Sequence, residues 1–279
     1  MHSYNVISFE SSSERKRLVT TDFGRSAQKQ FGRQASFYAQ SSAHQSSEGL
    51  DVVTEYLSHD RYRLTVDVGT GAGFTAFASA PFSDHVLATD IAPEMLRQAG
   101  RLADERNISN VGYLTAEAES LPFVQNSVDA VTSRQAAHHF HNLGMAITEV
   151  WRVLKPNGVF IFTDPVAPEG ESEAEWMNDV EVRRDATHIR DLNEYQWREL
   201  LHKSGFEITH FSITKVHLEF NDWVRRAATP REHIITLRKD FLSANPSVVQ
   251  AFGIQVKETE IWFHWDVLVV RAVKTLVSR

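Results

Sequence analysis

The chain has 279 residues, 42% of them hydrophobic, with a formal net charge of −7 and no cysteine. An acidic balance argues against a surface built for phosphate backbones, and the missing cysteine removes disulfides, thiol nucleophiles and cysteine-bound zinc. The apolar runs are strand-length and the N-terminus lacks an export-type apolar core, so a cytoplasmic protein with neither membrane nor nucleic-acid partners is expected.

Residues 1–25 are polar and serine-rich and predict a flexible lead-in. From Ala27 to Leu57 apolar residues recur at helical spacing, as with Phe31, Ala35 and Tyr38, then Leu50, Val53 and Leu57. Strands follow at Leu64–Val68 and His85–Thr89. Pro93 suits the first turn of a helix that runs to Glu105. Further strands are expected at Val111–Leu114 and Ala130–Ser133, then a helix at Leu143–Leu154. Lys155-Pro156-Asn157-Gly158 stops that helix before a strand at Val159–Thr163. Strands separated by helices predict an α/β fold, a parallel sheet with helices on both faces. Glu169–Glu175 reads as an acidic loop. A helix at Asn193–Ser204 ends at Gly205, and Phe206–Phe220 reads as a strand. Trp223–Phe252 reads as mainly helical, broken at Pro230 and Pro246, and Glu260–Val273 as the last strand.

The most informative stretch is Val66-Asp67-Val68-Gly69-Thr70-Gly71-Ala72-Gly73-Phe74, with Asp90 about twenty residues on at a strand tip. Glycines reach positive φ and let backbone approach a ligand closely. A carboxylate at that tip can accept hydrogen bonds from a ribose diol. A dinucleotide site favours G-x-G-x-x-G. The G-x-G-x-G spacing here, beside Asp67, suits a ligand with an ammonium group better than a pyrophosphate.

Further segments follow in a fixed order: Glu117-Ala118-Glu119-Ser120-Leu121-Pro122-Phe123, Asn126-Ser127-Val128-Asp129-Ala130-Val131, His138-His139-Phe140, then Glu149 to Gly158 and Val159 to Asp164. Residues 60–165 together resemble the class I S-adenosylmethionine-dependent methyltransferases, in the branch of the ubiquinone/menaquinone biosynthesis C-methyltransferases. The resemblance implies a Rossmann-like, mostly parallel seven-stranded sheet with an antiparallel edge. It also implies one methyltransferase domain over 26–279, with lid helices at 26–60 and a helical insertion at 221–259. S-adenosyl-L-methionine is the implied cofactor and a small molecule the methyl acceptor. The alternatives are a non-methylating protein that uses the cofactor to steer a cyclisation, and a nucleic-acid methyltransferase.

By the same resemblance, Asp67, Gly69, Thr70, Gly71 and Gly73 shape the cofactor turn. Asp90 takes the ribose, Ile91 packs on the adenine, and Glu117 and Ala118 meet the adenine amino group. Arg134 meets the methionine portion, and Tyr38 is a lid contact. His138 and His139 follow the fourth strand, and either could act as general base near neutral pH. No metal is expected, since nothing fixes the convergence of Asp164, Glu169, Glu171 and Glu173. Trp176, Trp197, Trp223, Phe241, Trp262 and Trp265 could line an apolar pocket, with core packing as the default.

Overall fold

The computed structural model describes residues 28–32 and 48–275 of the chain. The expected lead-in at 1–25 and the candidate lid residue Tyr38 lie outside them. β1 (Tyr62–Val68) and β4 (Val128–Arg134) are buried at almost every position. That pattern belongs to central parallel strands covered on both faces. With β2 (Ser83–Asp90), β3 (Val111–Thr115) and β5 (Leu154–Pro165) they form a parallel array in the order β3-β2-β1-β4-β5. β8 (Glu260–Lys274) pairs antiparallel with β5, and β6 (Phe206–Glu219) pairs antiparallel with β8 at the sheet edge. The three-residue β7 (Gln255–Lys257) pairs with β8 and is an eighth strand beyond the seven expected.

The strand order reverses between β1 and β4, which pair directly. Connections leave these two strands in opposite directions and open a crevice at their carboxyl ends, where ligands of such sheets bind. α3 (Pro93–Glu105) begins at its proline and follows the expected bounds.

Two expectations are corrected on the helices. α1 (Glu48–Leu57) was expected among lid helices, yet Val53 and Leu57 are fully buried against Tyr62, Ala130, Ile161 and Val269. It therefore covers a sheet face. The acidic run expected as a loop instead opens α5 (Glu171–Arg184), with Glu171 and Glu173 in its first turn. Carboxylates there are favoured by the unpaired N–H groups and the helix dipole, and Met177 and Val180 are buried further along the helix.

β6 and β8 outrun β5, which pairs with β8 only between Val267 and Val273. The remaining ribbon, Lys215–Glu219 against Trp262–Asp266, projects beyond the sheet. Around it pack α5, α7 (Phe220–Arg226), α8 (Arg231–Leu242) and α9 (Pro246–Phe252). Pro230 and Pro246 mark the expected breaks. Trp176, Trp223, Phe241, Phe252, Phe263 and Trp265 form a second core inside this cap. Trp197, on α6 (Glu194–Lys203), belongs to the main core and packs 4.8 Å from Phe162. The default core role therefore holds for these aromatics, while Trp262 is on the surface.

Candidate active site

β1 feeds into a turn in which Gly69, Gly71 and Gly73 all have positive φ. A side chain at Gly69 would sit 2.6 Å from the Ala136 Cβ, so that glycine lets the segment after β4 come close. At Gly73, the residue that starts α2 (Phe74–Ser79), it would meet the Phe77 ring at 2.6 Å and Ala99 of α3 at 3.0 Å. A Cβ at Gly71 would meet nothing within 4 Å, because it would point into open space. Gly69 and Gly73 thus serve close packing, while Gly71 leaves space open toward a cavity.

That cavity, about 470 Å³, lies at the crevice between β1 and β4. Gly69, Thr70, Gly71, Asp90, Ile91, Glu117, Ala118 and Arg134 all line it, as does His139. The spacing in sequence and the convergence in space agree for these residues. Asp67, Gly73 and His138 do not line it. Asp67 was expected beside the ligand but is 1% exposed. Its two oxygens accept from Thr70 Oγ1 at 2.6 Å and Thr132 Oγ1 at 2.7 Å, so it braces the turn from below. Burial raises its pKa to about 6, against those hydrogen bonds.

Asp90 closes the turn on its other side. Its Oδ2 accepts from Gly71 N at 2.9 Å, and its Oδ1 accepts from Ala92 N at 2.8 Å, at the start of α3. Burial raises its pKa to about 6, and the backbone donors work the other way. The group is thus mostly a carboxylate at neutral pH. Each oxygen accepts one hydrogen bond and retains further acceptor capacity. Glu117 Oε1 is buried and lacks a hydrogen-bond partner among the described residues. Burial and then Glu119 raise its pKa. Arg134 Nε donates to Thr75 Oγ1 at 3.0 Å. Burial lowers its pKa to about 10 despite Asp67, leaving it charged at neutral pH.

His138 and His139 sit side by side on a short 3-10 turn, and their surroundings separate them. His138 Nδ1 lies 2.9 Å from Asp164 Oδ1. Burial, the largest single effect, opposes its protonation, but the charge and hydrogen bond of Asp164 together with the Asp191 and Glu181 charges outweigh it, and the pKa rises to about 9. The protonated form of His138 is favoured and the residue does not line the cavity, so of the two histidines expected as candidate bases His139 is the better placed. His139 Nδ1 lies 3.1 Å from the Thr187 carbonyl. A carbonyl only accepts, and the Thr187 hydroxyl, 3.2 Å from Nδ1, gives its own hydrogen to Asp185, so Nδ1 carries the hydrogen and Nε2 keeps the lone pair. Burial, then the His138 charge, depresses the His139 pKa well below 6.5.

Sequence reasoning missed the apolar wall of the cavity: Phe31, Met95, Phe140 and Met145. The Phe31 ring meets His139 edge-on at 5.0 Å, and Met145 is 52% exposed. A large apolar residue in the first turn of α4 (Leu143–Val153), close behind the histidine pair, was the available clue.

The family model described as "Methyltransferase domain" matches residues 66–162, from β1 through β5. Bacillus subtilis (strain 168) YcgJ, described as an uncharacterized methyltransferase, is 32% identical over 204 residues, 72% of this chain and 80% of that protein. Escherichia coli (strain K12) YafE is 33% identical over 206 residues, 74% of this chain and 98% of that one. The crystal structure of BH2331 from Bacillus halodurans C-125 superposes with a TM-score of 0.79 at 29% identity, covering 82% of this chain and all of that one. Similarity on this scale reaches well past the glycine turn and into the second half of the chain. On sequence and architecture together, the chain belongs to the class I S-adenosylmethionine-dependent methyltransferases, with S-adenosyl-L-methionine as its cofactor.

Proposed function

We propose that the chain methylates a small-molecule acceptor bound in the same cavity as the cofactor. The observation that carries this reading is the continuity of the cavity. One volume of about 470 Å³ joins the glycine turn to the wall of Phe31, His139, Phe140 and Met145. Small-molecule sites span roughly 300–1,000 Å³, so a modest, partly apolar acceptor fits beside the cofactor and a folded macromolecule does not. The net charge of −7 supports an acceptor other than nucleic acid.

The residues present suit the cofactor. Asp90 keeps acceptor capacity on both oxygens for a ribose diol, and the unpartnered Glu117 Oε1 suits the adenine amino group. Ile91 and Ala118 offer apolar contact to the base, and Thr70, Gly71 and Arg134 surround the remaining portion. In this assignment Asp67 and Gly73 hold the turn's shape and touch no ligand. The cofactor supplies an electrophilic methyl group on a sulfonium. The chain's part is to align the acceptor, exclude water and, for a hydroxyl or acidic carbon, accept a proton. His139 Nε2 is the group placed to accept it. The experiment is incubation with methyl-labelled S-adenosylmethionine and a cell extract separated into metabolite, RNA and protein fractions. Label is expected in the metabolite fraction, and label confined to RNA or protein would overturn the reading.

With the acceptor so identified, His139→Ala is expected to lower turnover about a hundredfold. Cofactor affinity, measured by calorimetry, should stay nearly constant. The depressed pKa sets the sign of the pH dependence. His139 stays neutral as pH falls through 6.5, so activity should persist there and drop only at lower pH. A turnover profile measured at saturating cofactor, so that titration of Asp90 does not enter, and falling at 6.5 or above would remove His139 from the base role.

A further inference from the structure

Behind the cavity wall, at the carboxyl ends of β4 and β5, lies a buried group of ionisable side chains that the methyl transfer leaves unused. The structure assigns to His138, Asp164 and Asp191 a binding site for a divalent transition-metal cation. His138 Nδ1 and one oxygen from each carboxylate all lie within 4.8 Å of one another. They come from three separate segments: the turn after β4, the tip of β5, and the loop between α5 and α6.

The observation pointing to a ligand is Asp191 itself. It is 2% exposed, and neither carboxylate oxygen has a hydrogen-bond partner among the described residues. Burial raises its pKa to about 8, and even as a neutral carboxyl the group leaves its hydrogen-bonding capacity unused at a real energetic cost. It is held there all the same. Asn178 Oδ1 accepts from the Asp191 backbone N at 2.7 Å, and Asn178 Nδ2 donates to the Asp191 carbonyl at 3.2 Å. This two-point clamp from α5 fixes the backbone and leaves the carboxylate aimed at His138 and Asp164.

The distances suit a metal. Zinc bonds to imidazole nitrogen and carboxylate oxygen measure roughly 2.0–2.2 Å, which sets neighbouring donor atoms about 3–3.5 Å apart. His138 Nδ1 and Asp164 Oδ1, at 2.9 Å, share a hydrogen bond in the metal-free chain, and an ion taking their place would release that proton to solvent. His188 is a fourth candidate ligand, its Nε2 lying 3.7 Å from Asp191 Oδ2. One or two imidazoles with two carboxylates favour a zinc-like ion over magnesium or calcium, which prefer all-oxygen shells. A bound ion would tie the β4 and β5 ends to the 185–191 loop. It would stand just behind His139, whose ring centroid is 4.1 Å from that of His138. The site depends on neither the identity nor the size of the methyl acceptor.

The test uses full-length, untagged protein stripped with a chelator and titrated with Zn²⁺ by calorimetry, with bound metal counted by elemental analysis. One Zn²⁺ per chain is expected, with a rise in melting temperature, and Mg²⁺ should give neither. Asp191→Asn keeps the side-chain shape and should weaken Zn²⁺ binding at least tenfold, as should His138→Ala. His217→Ala, at an exposed histidine outside the group, should leave it unchanged. Absence of stoichiometric zinc, or equal binding by the Asp191→Asn and His138→Ala variants, would overturn the assignment. S-adenosylhomocysteine binding, measured in parallel, reports on the cofactor site alone, so the two conclusions stand or fall separately.

Discussion

Replacing Asp90 with alanine is expected to weaken S-adenosylmethionine binding about ten- to a hundredfold while the chain still unfolds in one cooperative transition. Hydrogen bonds to a charged acceptor contribute roughly 1.5–3 kcal/mol, which is that range in affinity. The substitution acts twice. It removes the acceptor for the ribose hydroxyls, and it releases Gly71 N and Ala92 N, which Asp90 holds at 2.9 and 2.8 Å. The turn then loses a brace on the side that faces the ligand. Asp67 keeps the brace below it through Thr70 and Thr132, so the fold should survive. Calorimetric titration beside a thermal melt separates the two effects. Unchanged affinity in a folded variant would place the ribose elsewhere.

The largest stability effect is expected at Glu181. This residue is 5% exposed inside the cap. Its Oε1 accepts from Trp265 Nε1 at 2.6 Å and Trp223 Nε1 at 3.2 Å, and its Oε2 accepts from Arg184 at 3.0 Å. Glu181→Ala strands two indole N–H groups and removes a carboxylate partner from the partly buried Arg184 guanidinium. Breaking such a buried pair from one side costs about 3–5 kcal/mol. For a chain of this size that corresponds to a fall in melting temperature of roughly 6–20 °C. Glu181→Gln keeps one acceptor oxygen and should fall between. Burial opposes ionisation of Glu181, but the charges of Arg184, His188 and His138 with the Arg184 hydrogen bond together outweigh it, and its pKa lies below 4.5. Its contribution is therefore complete above about pH 4.5 and is lost as pH falls through the lower folded-state value. A melting temperature in Glu181→Ala equal to that of the parent chain would show that the cap does not depend on this hub.

What the sequence makes legible here is what it encodes locally. Strand, glycine turn, helix and Asp90 fall within some thirty residues, and α3 starts where Pro93 says it should. Long-range partners decide the rest. Asp67 stands next to the turn in sequence, but Thr132, 65 residues on, turns it inward. His138 and His139 are indistinguishable as neighbours in a chain. Asp164 charges one and the Thr187 carbonyl fixes the tautomer of the other, and no local pattern announces either contact. The acidic run at 169–175 misleads for a different reason. Glutamates at a helix start and glutamates in a loop look alike until the apolar face behind them is recognised. α5 shows little amphipathic contrast, because it buries Glu181 along with Met177 and Val180.

Because Asp90 already holds Gly71 and Ala92, the cofactor turn is preformed, and little of the binding energy is spent on ordering it. In the proposed assignment Asp90 and Glu117 contact ribose and adenine, groups that the cofactor shares with its demethylated product. Interactions of that kind hold reactant and product alike and do not themselves speed the chemical step. The spent cofactor then competes with the fresh one on nearly equal terms. In that assignment, product that accumulates occupies the same contacts and slows turnover.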